Sequence, residues 1–161
     1  MHDITFKNSF GKDLSIKEIV DETVSFLEEK PNSFYRIIIG TDSARMPENL
    51  ADFVTAFVVH RVGNGGRYFW RRHDFGKFYT LRDRIIHEVV LSIDVAKSVL
   101  TELQGRKDLP SWTFEIHADI GENGETKALI QEVVGMIRAN NFEVKTKPES
   151  YAASKVADRH V

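Results

Sequence analysis

The sequence contains no cysteine, which excludes disulfide bridges and thiolate metal sites and leaves histidine, aspartate and glutamate as the strong ligands. Any bound metal is therefore expected to be a hard cation held by oxygen. Proline is scarce, 4 residues in 161, and no tract is repetitive, proline-rich or of low complexity, so the chain reads as one continuous fold. Long hydrophobic runs are missing as well. No segment reaches the roughly 18 apolar residues of a membrane-spanning helix, and the opening MHDITFKNSFGKDLS lacks the apolar core of a secretory signal. The expected location is the cytoplasm, with no membrane partner. Neither sign of charge dominates, the net being −2, so global charge gives no hint of nucleic acid.

What is present is 42% hydrophobic and 29% charged residues, the balance of a soluble globular protein rather than a disordered one. The length suits a single domain over residues 1–161, with residues 1–33 as an N-terminal helical extension. Charge is unevenly placed. Arg67, Arg71, Arg72, Lys77, Arg82 and Arg84 stand against Asp74 and Asp83, a local +4 that leaves −6 for the remainder.

Leu14-Ser15-x-x-Glu18-Ile19 is a complete helix start: Ser15 as N-cap, Glu18 closing a capping box, Leu14 stapling onto Ile19. A helix to about Lys30 follows, ended by Pro31. Residues 35–41 read as a strand with isoleucine on both faces, covered on two sides. Residues 53–62 and 67–72 flank Gly63-Asn64-Gly65-Gly66, a hairpin signal. Thr80-x-x-Asp83 opens a helix to about Gln104. A strand at 113–120, a helix at 125–139, a strand at 142–146 and a last helix from Ser150 complete the order βββαβαβα. That order predicts an α/β fold with a mixed five-stranded sheet. Strands 1–3 are antiparallel and strands 4 and 5 run parallel to strand 1, with helices on both faces.

The acids fall in suggestive places. "IIIGTDSA" (37–44) ends the first strand in Asp42 and Ser43, and "FEIHADIG" (114–121) ends the fourth in Asp119. If these strands are adjacent and parallel, both carboxylates sit at one edge of the sheet, where open α/β folds bind ligands. On a helical wheel Leu81, Ile85, Val89, Ile93, Ala96, Val99, Leu100 and Leu103 form one apolar face, and Glu88 falls inside it. Asp158 and Ser154 share a face of the final helix. Taken singly, each Asp is as readily a turn or cap residue, and Glu88 could snorkel to water beside Arg84. Taken together, three carboxylates about 4 Å apart would cost roughly 12 kcal/mol at an effective dielectric of 20, as much as a domain's whole stability. Such a cluster needs cations or protons.

With the acids so ordered, "IGTDS", "RDRIIHE", "HADIGENGETK" and "KPESYAASKVAD" resemble the YkuK-like family of predicted ribonuclease H-related nucleases, within the ribonuclease H-like superfamily. The resemblance covers about residues 34–160. It implies a metal-dependent nuclease in which Asp42, Glu88, Asp119 and Asp158 hold two Mg²⁺ or Mn²⁺ ions. These would hydrolyse phosphodiester bonds in RNA, DNA or a hybrid by a two-metal mechanism.

"RYFWRRHDFGKFY" (67–79) mixes aromatics with cations in the manner of a nucleic-acid surface, making Arg67, Arg71, Arg72 and Lys77 candidate phosphate contacts. The same pattern fits an amphipathic strand with solvated arginines. Ser43, His117 and Ser154 are possible auxiliary residues. His117 is either a ligand or proton shuttle, or a hydrogen-bonded core histidine. "GENGET" (121–126) could bind an anion but lacks the lysine and spacing of a P-loop. Two other functions fit the same residues: a ribonuclease H-like module that binds nucleic acid or protein without cleaving, and a phosphate or nucleotide binder.

Overall fold

The computed structural model describes residues 4–152 and residue 160. Its framework is one mixed sheet in the order β2-β1-β5-β4-β3-β6-β7. The central strand β3 (Tyr35–Arg45) pairs antiparallel with β4 (Leu50–Arg61) and parallel with β6 (Trp112–His117). Ile37, Ile38 and Ile39 are fully buried, as expected of a strand covered on both faces. β4 turns into β5 (Gly66–Lys77) through the expected glycine-rich hairpin, where Arg61 N–H donates to the Gly65 carbonyl at 3.0 Å. β7 (Glu143–Lys145) lies parallel to β6.

Two strands join the five expected ones. β1 (Thr5–Lys7) and β2 (Asp13–Ser15) form a hairpin that attaches to the β5 edge, Lys7 opposite Trp70. Each strand has three residues and a single buried apolar side chain, Phe6 or Leu14, too few for a period-2 pattern to register in sequence. Asn8 Oδ1 closes the hairpin by accepting from the N–H groups of Phe10 and Lys12, both at 3.0 Å.

Three helices pack on one face. α1 (Ile16–Glu29) starts with the expected capping box, and Leu14 and Ile19 are both buried. α2 (Leu81–Gln104) is capped by Thr80, whose side chain accepts from the Asp83 N–H. α3 (Ile130–Ala139) begins later than expected, because residues 127–129 form a 3-10 turn behind Gly124, whose φ is +90°. Ile19 and Leu27 of α1, Ile93 and Val99 of α2, and Val133 and Ile137 of α3 meet Ile37, Ile39, Phe57 and Phe69 of the sheet in one core. The opposite face carries a smaller cluster of Ile38, Val54, Ala56 and Val58 against Ala152. All three of these helices therefore lie on one face, and most of the last helix expected on the other lies outside the described residues. Among the described residues no helix is long and apolar enough to cross a membrane.

Candidate functional site

Alternation along β3 decides where its polar end points. Thr41 and Ser43 face α2, whereas Asp42, paired with Val54, faces the other side with Ile38. Ser43 Oγ reaches across to donate to Glu88 Oε2 at 2.5 Å. Glu88 occupies the apolar stripe of α2, as the helical wheel predicts, and is only 6% exposed. Burial pushes its carboxyl up to about 8; the Ser43 hydrogen bond opposes this, the field of Asp42 adds to it, Arg84 opposes it, and Asp119 adds to it. Glu88 thus feels the charge of both Asp42 and Asp119.

Asp119 lies just beyond β6, which ends at His117 rather than running to Ile120. The chain still tracks β7, with Ala118 N–H donating to the Lys145 carbonyl at 3.0 Å and Lys147 N–H to the Ile120 carbonyl at 2.7 Å. This places Lys147 Nζ 3.2 Å from Asp119 Oδ1, an ion pair aligned too poorly to count as a hydrogen bond to that buried oxygen. Among the described residues, no group of three or more histidine, aspartate or glutamate side chains is gathered closely enough to hold a metal ion as it stands. Asp158 and Ser154 lie outside the described residues.

His117 is fully enclosed. Its Nδ1 accepts from Tyr151 N–H at 3.0 Å, so Nε2 carries the proton and donates to Glu115 Oε1 at 2.7 Å. Arg36 also binds Glu115. Burial pushes the Glu115 carboxyl up, but the hydrogen bonds from His117 and Arg36 outweigh it and hold it below its usual range. This is the hydrogen-bonded core histidine rather than a ligand among the acids.

The four candidate phosphate contacts do not share a surface. Arg67 lies 4.5 Å over the Phe26 ring on the α1 side, and Arg71 donates to the Thr5 carbonyl at the β1 edge. Arg72, on the opposite face, pairs with Asp52. Lys77 ends β5 opposite Leu50. Sequence reading also overlooked a buried hydroxyl chain, Ser92 to Thr41 to Thr55 to His73 Nε2, each link 2.7 Å, which ties α2 to three strands. Thr41 and Ser92 are small polar residues at core-facing positions, the signal that could have found it.

The ribonuclease H-like family pattern matches residues 18–161. The chain belongs to that family. It is 33% identical over 164 residues to the uncharacterized protein YkuK of Bacillus subtilis (strain 168), an alignment spanning 96% of this chain and 95% of the other. Among solved structures it is similar to the catalytic domain of Mos1 transposase, in a structure with Raltegravir and Mg. That match has a TM-score of 0.28 and 11% identity, covering 87% of this chain and 61% of that one.

Proposed function

We propose that this chain is a metal-dependent nuclease that hydrolyses phosphodiester bonds in RNA, DNA or a hybrid, with Asp42, Glu88 and Asp119 as acidic residues of its site and Asp158 as the fourth. The observation that carries the reading is the state of Glu88. It is a buried carboxyl raised to about 8, inside the apolar stripe of a helix, with two further carboxylates adding to the shift. A carboxyl shifted by burial and by two neighbouring acids is the kind of group that functional sites hold. Membership of the ribonuclease H-like family supports nucleic acid as the partner.

The donors are all carboxylate oxygens, which fits a hard divalent cation, Mg²⁺ or Mn²⁺. Asp42, Glu88 and Asp119 would hold such a cation, which would supply Lewis-acid activation of water and charge stabilisation at the phosphodiester. The residues of the chain have their own tasks. Ser43 fixes the direction of the Glu88 carboxyl, and the rigid β3–β6 pair sets Asp42 and Asp119 at one end of two adjacent strands. Burial of Glu88 keeps water from screening it.

A second reading, a ribonuclease H-like module that binds nucleic acid or protein without cleaving, is favoured by one observation. Lys147 already brings a positive charge to Asp119 at 3.2 Å, the neutralisation a cation would otherwise supply. Turnover of labelled single- and double-stranded substrates in Mg²⁺ or Mn²⁺ against EDTA decides between the two. The nuclease reading expects cleavage that Glu88→Gln and Asp119→Asn each reduce by on the order of a hundredfold or more. Binding without metal-dependent cleavage gives the second reading.

A further inference from the structure

α2 and β3 pass each other in opposite directions, and their side chains meet in rungs. Ser92 Oγ meets Thr41 Oγ1 at 2.7 Å, and Glu88 meets Ser43 at 2.5 Å. Each rung advances four residues on the helix, about 6 Å, and two on the strand, about 6.6 Å. The next rung is Arg84 and Arg45. Both line a pocket of about 170 Å³ with Phe78, Thr80, Leu81 and Glu125 among its other walls.

This rung differs from those before it, because its two members are both cations, and the field of Arg84 on Glu88 one turn along α2 is the carboxylate interaction that either of them shows. Neither guanidinium has an ion pair or side-chain hydrogen bond with any described residue, and Arg84 Nε is buried without a hydrogen-bond partner. Elsewhere in the molecule Arg36, Arg61, Arg82 and Arg106 each pair with a carboxylate. Two guanidinium groups lining one pocket repel unless an anion joins them. The pocket also borders the start of α2, where Thr80 caps only the Asp83 N–H and leaves the first-turn N–H groups of Leu81 and Arg82 for a ligand. Glu125 is the opposing charge in the wall, and it is exposed to water, which screens it.

We propose that this pocket is a phosphate subsite, in which Arg45 and Arg84 take the phosphate of the nucleic-acid strand neighbouring the one presented to Asp42, Glu88 and Asp119. The assignment to a strand rests on the nuclease reading; the affinity for a phosphate group does not. One rung separates Arg84 from Glu88, a step of the order that separates successive phosphates on a single strand. The subsite then fixes the strand's register and direction across the acids, while the acids select the bond.

The test uses the full chain in EDTA, so that it is independent of cleavage. Inorganic phosphate is compared with chloride at matched ionic strength. At about ten times its dissociation constant, phosphate should raise the melting temperature by roughly 3–6 °C. Arg45→Gln and Arg84→Gln should each remove most of that rise, whereas Arg106→Gln, whose guanidinium pairs with Asp21 on α1, should keep it. Arg45 lies at the exposed end of β3, so its variant should fold even if the Arg84 variant does not. In a second arm, Asp119→Asn protein binds single-stranded oligonucleotides in which one methylphosphonate is walked along the strand. One position should weaken binding by about tenfold, and adding Arg45→Gln should erase that penalty. Equal phosphate shifts in wild type and both arginine variants overturn the subsite. A phosphate shift that depends on the arginines, with no sensitive methylphosphonate position, overturns the strand assignment and leaves a site for free phosphate. Cleavage that survives Asp119→Asn would count against Asp119 as an acid of the nuclease site and not against the subsite, and absence of cleavage by the wild-type protein in Mg²⁺ or Mn²⁺ would count against the nuclease reading alone, because the phosphate shift depends on neither.

Discussion

Glu88 and Glu115 are both buried, 6% and 3% exposed, and yet their carboxyls move in opposite directions. Glu88 is pushed up to about 8, and Glu115 is held below its usual range. Burial raises both. The difference lies in the partners: Glu115 is hydrogen-bonded by the guanidinium of Arg36 and the imidazole N–H of His117, whereas Glu88 is hydrogen-bonded by one hydroxyl and feels two further carboxylates against the field of a single guanidinium, Arg84. One acid is complete within the fold and so reads as architecture. The other is incomplete and so reads as a site.

The comparison breaks most visibly by removing the cation from the completed acid. Arg36→Met leaves Glu115 buried with only His117, and loss of one partner from a buried pair costs about 3–5 kcal/mol. Arg36 is itself partly open to water, so the low end applies. The melting temperature should fall by roughly 6–12 °C for a chain of this size. A change within a degree or two would show that the pair contributes nothing and that the two acids are alike.

Supplying a cation to the incomplete acid sharpens the contrast from the other side. At free Mg²⁺ or Mn²⁺ about 100 times the dissociation constant, linkage stabilises the native state by roughly 2.7 kcal/mol, which is about 5–11 °C in melting temperature. Asp119→Asn should shrink that shift. Asp94→Asn, exposed on α2, should leave it intact. Equal shifts in all three proteins would reduce the metal effect to general screening.

The most direct effect, and the smallest when read per pH unit, is in pH. Between the usual 4.5 and about 8, native Glu88 keeps a proton that the unfolded chain has released. Raising the pH through this window therefore favours unfolding, by up to about 1.4 kcal/mol per pH unit. Glu115 acts with the opposite sign. Its contribution is present above the ordinary carboxylate range and is lost as the pH falls through it, because the unfolded chain takes up a proton that the native state refuses. In EDTA, Glu88→Gln should flatten the decline in stability between pH 6 and 8 and be the more stable protein at pH 8. A decline unchanged by that substitution would place its origin elsewhere.

Much of this was readable in the chain itself. The capping box at Ser15, the Gly63–Gly66 hairpin turn and the cap at Thr80 are local chemistry, and each formed where the sequence indicated. Glu88 stood out as a charge in an apolar helical stripe, although snorkelling to water beside Arg84 explained it as well, and Asp42 stood out because a doubly buried strand ended in it. The β1–β2 hairpin left no such mark, since one apolar residue per strand carries no period. The arginines of residues 67–72 looked like one patch because composition ignores the pleat: consecutive strand residues point to opposite faces, so Arg71 and Arg72 part company.

Local sequence, then, determined the helices, the turns and the strands long enough to show a pattern, because capping, backbone preference and apolar periodicity act over a few residues. Tertiary structure alone decided which acids have partners. Arg36 and Glu115 are separated by 79 positions and meet only through the parallel register of β3 and β6. Ser43 and Glu88 meet only because α2 crosses β3 at that rung, and Arg45 and Arg84 line one pocket for the same reason. A side chain's charge is written in its residue type, but its energy depends on neighbours that only the closed sheet and its packed helices supply.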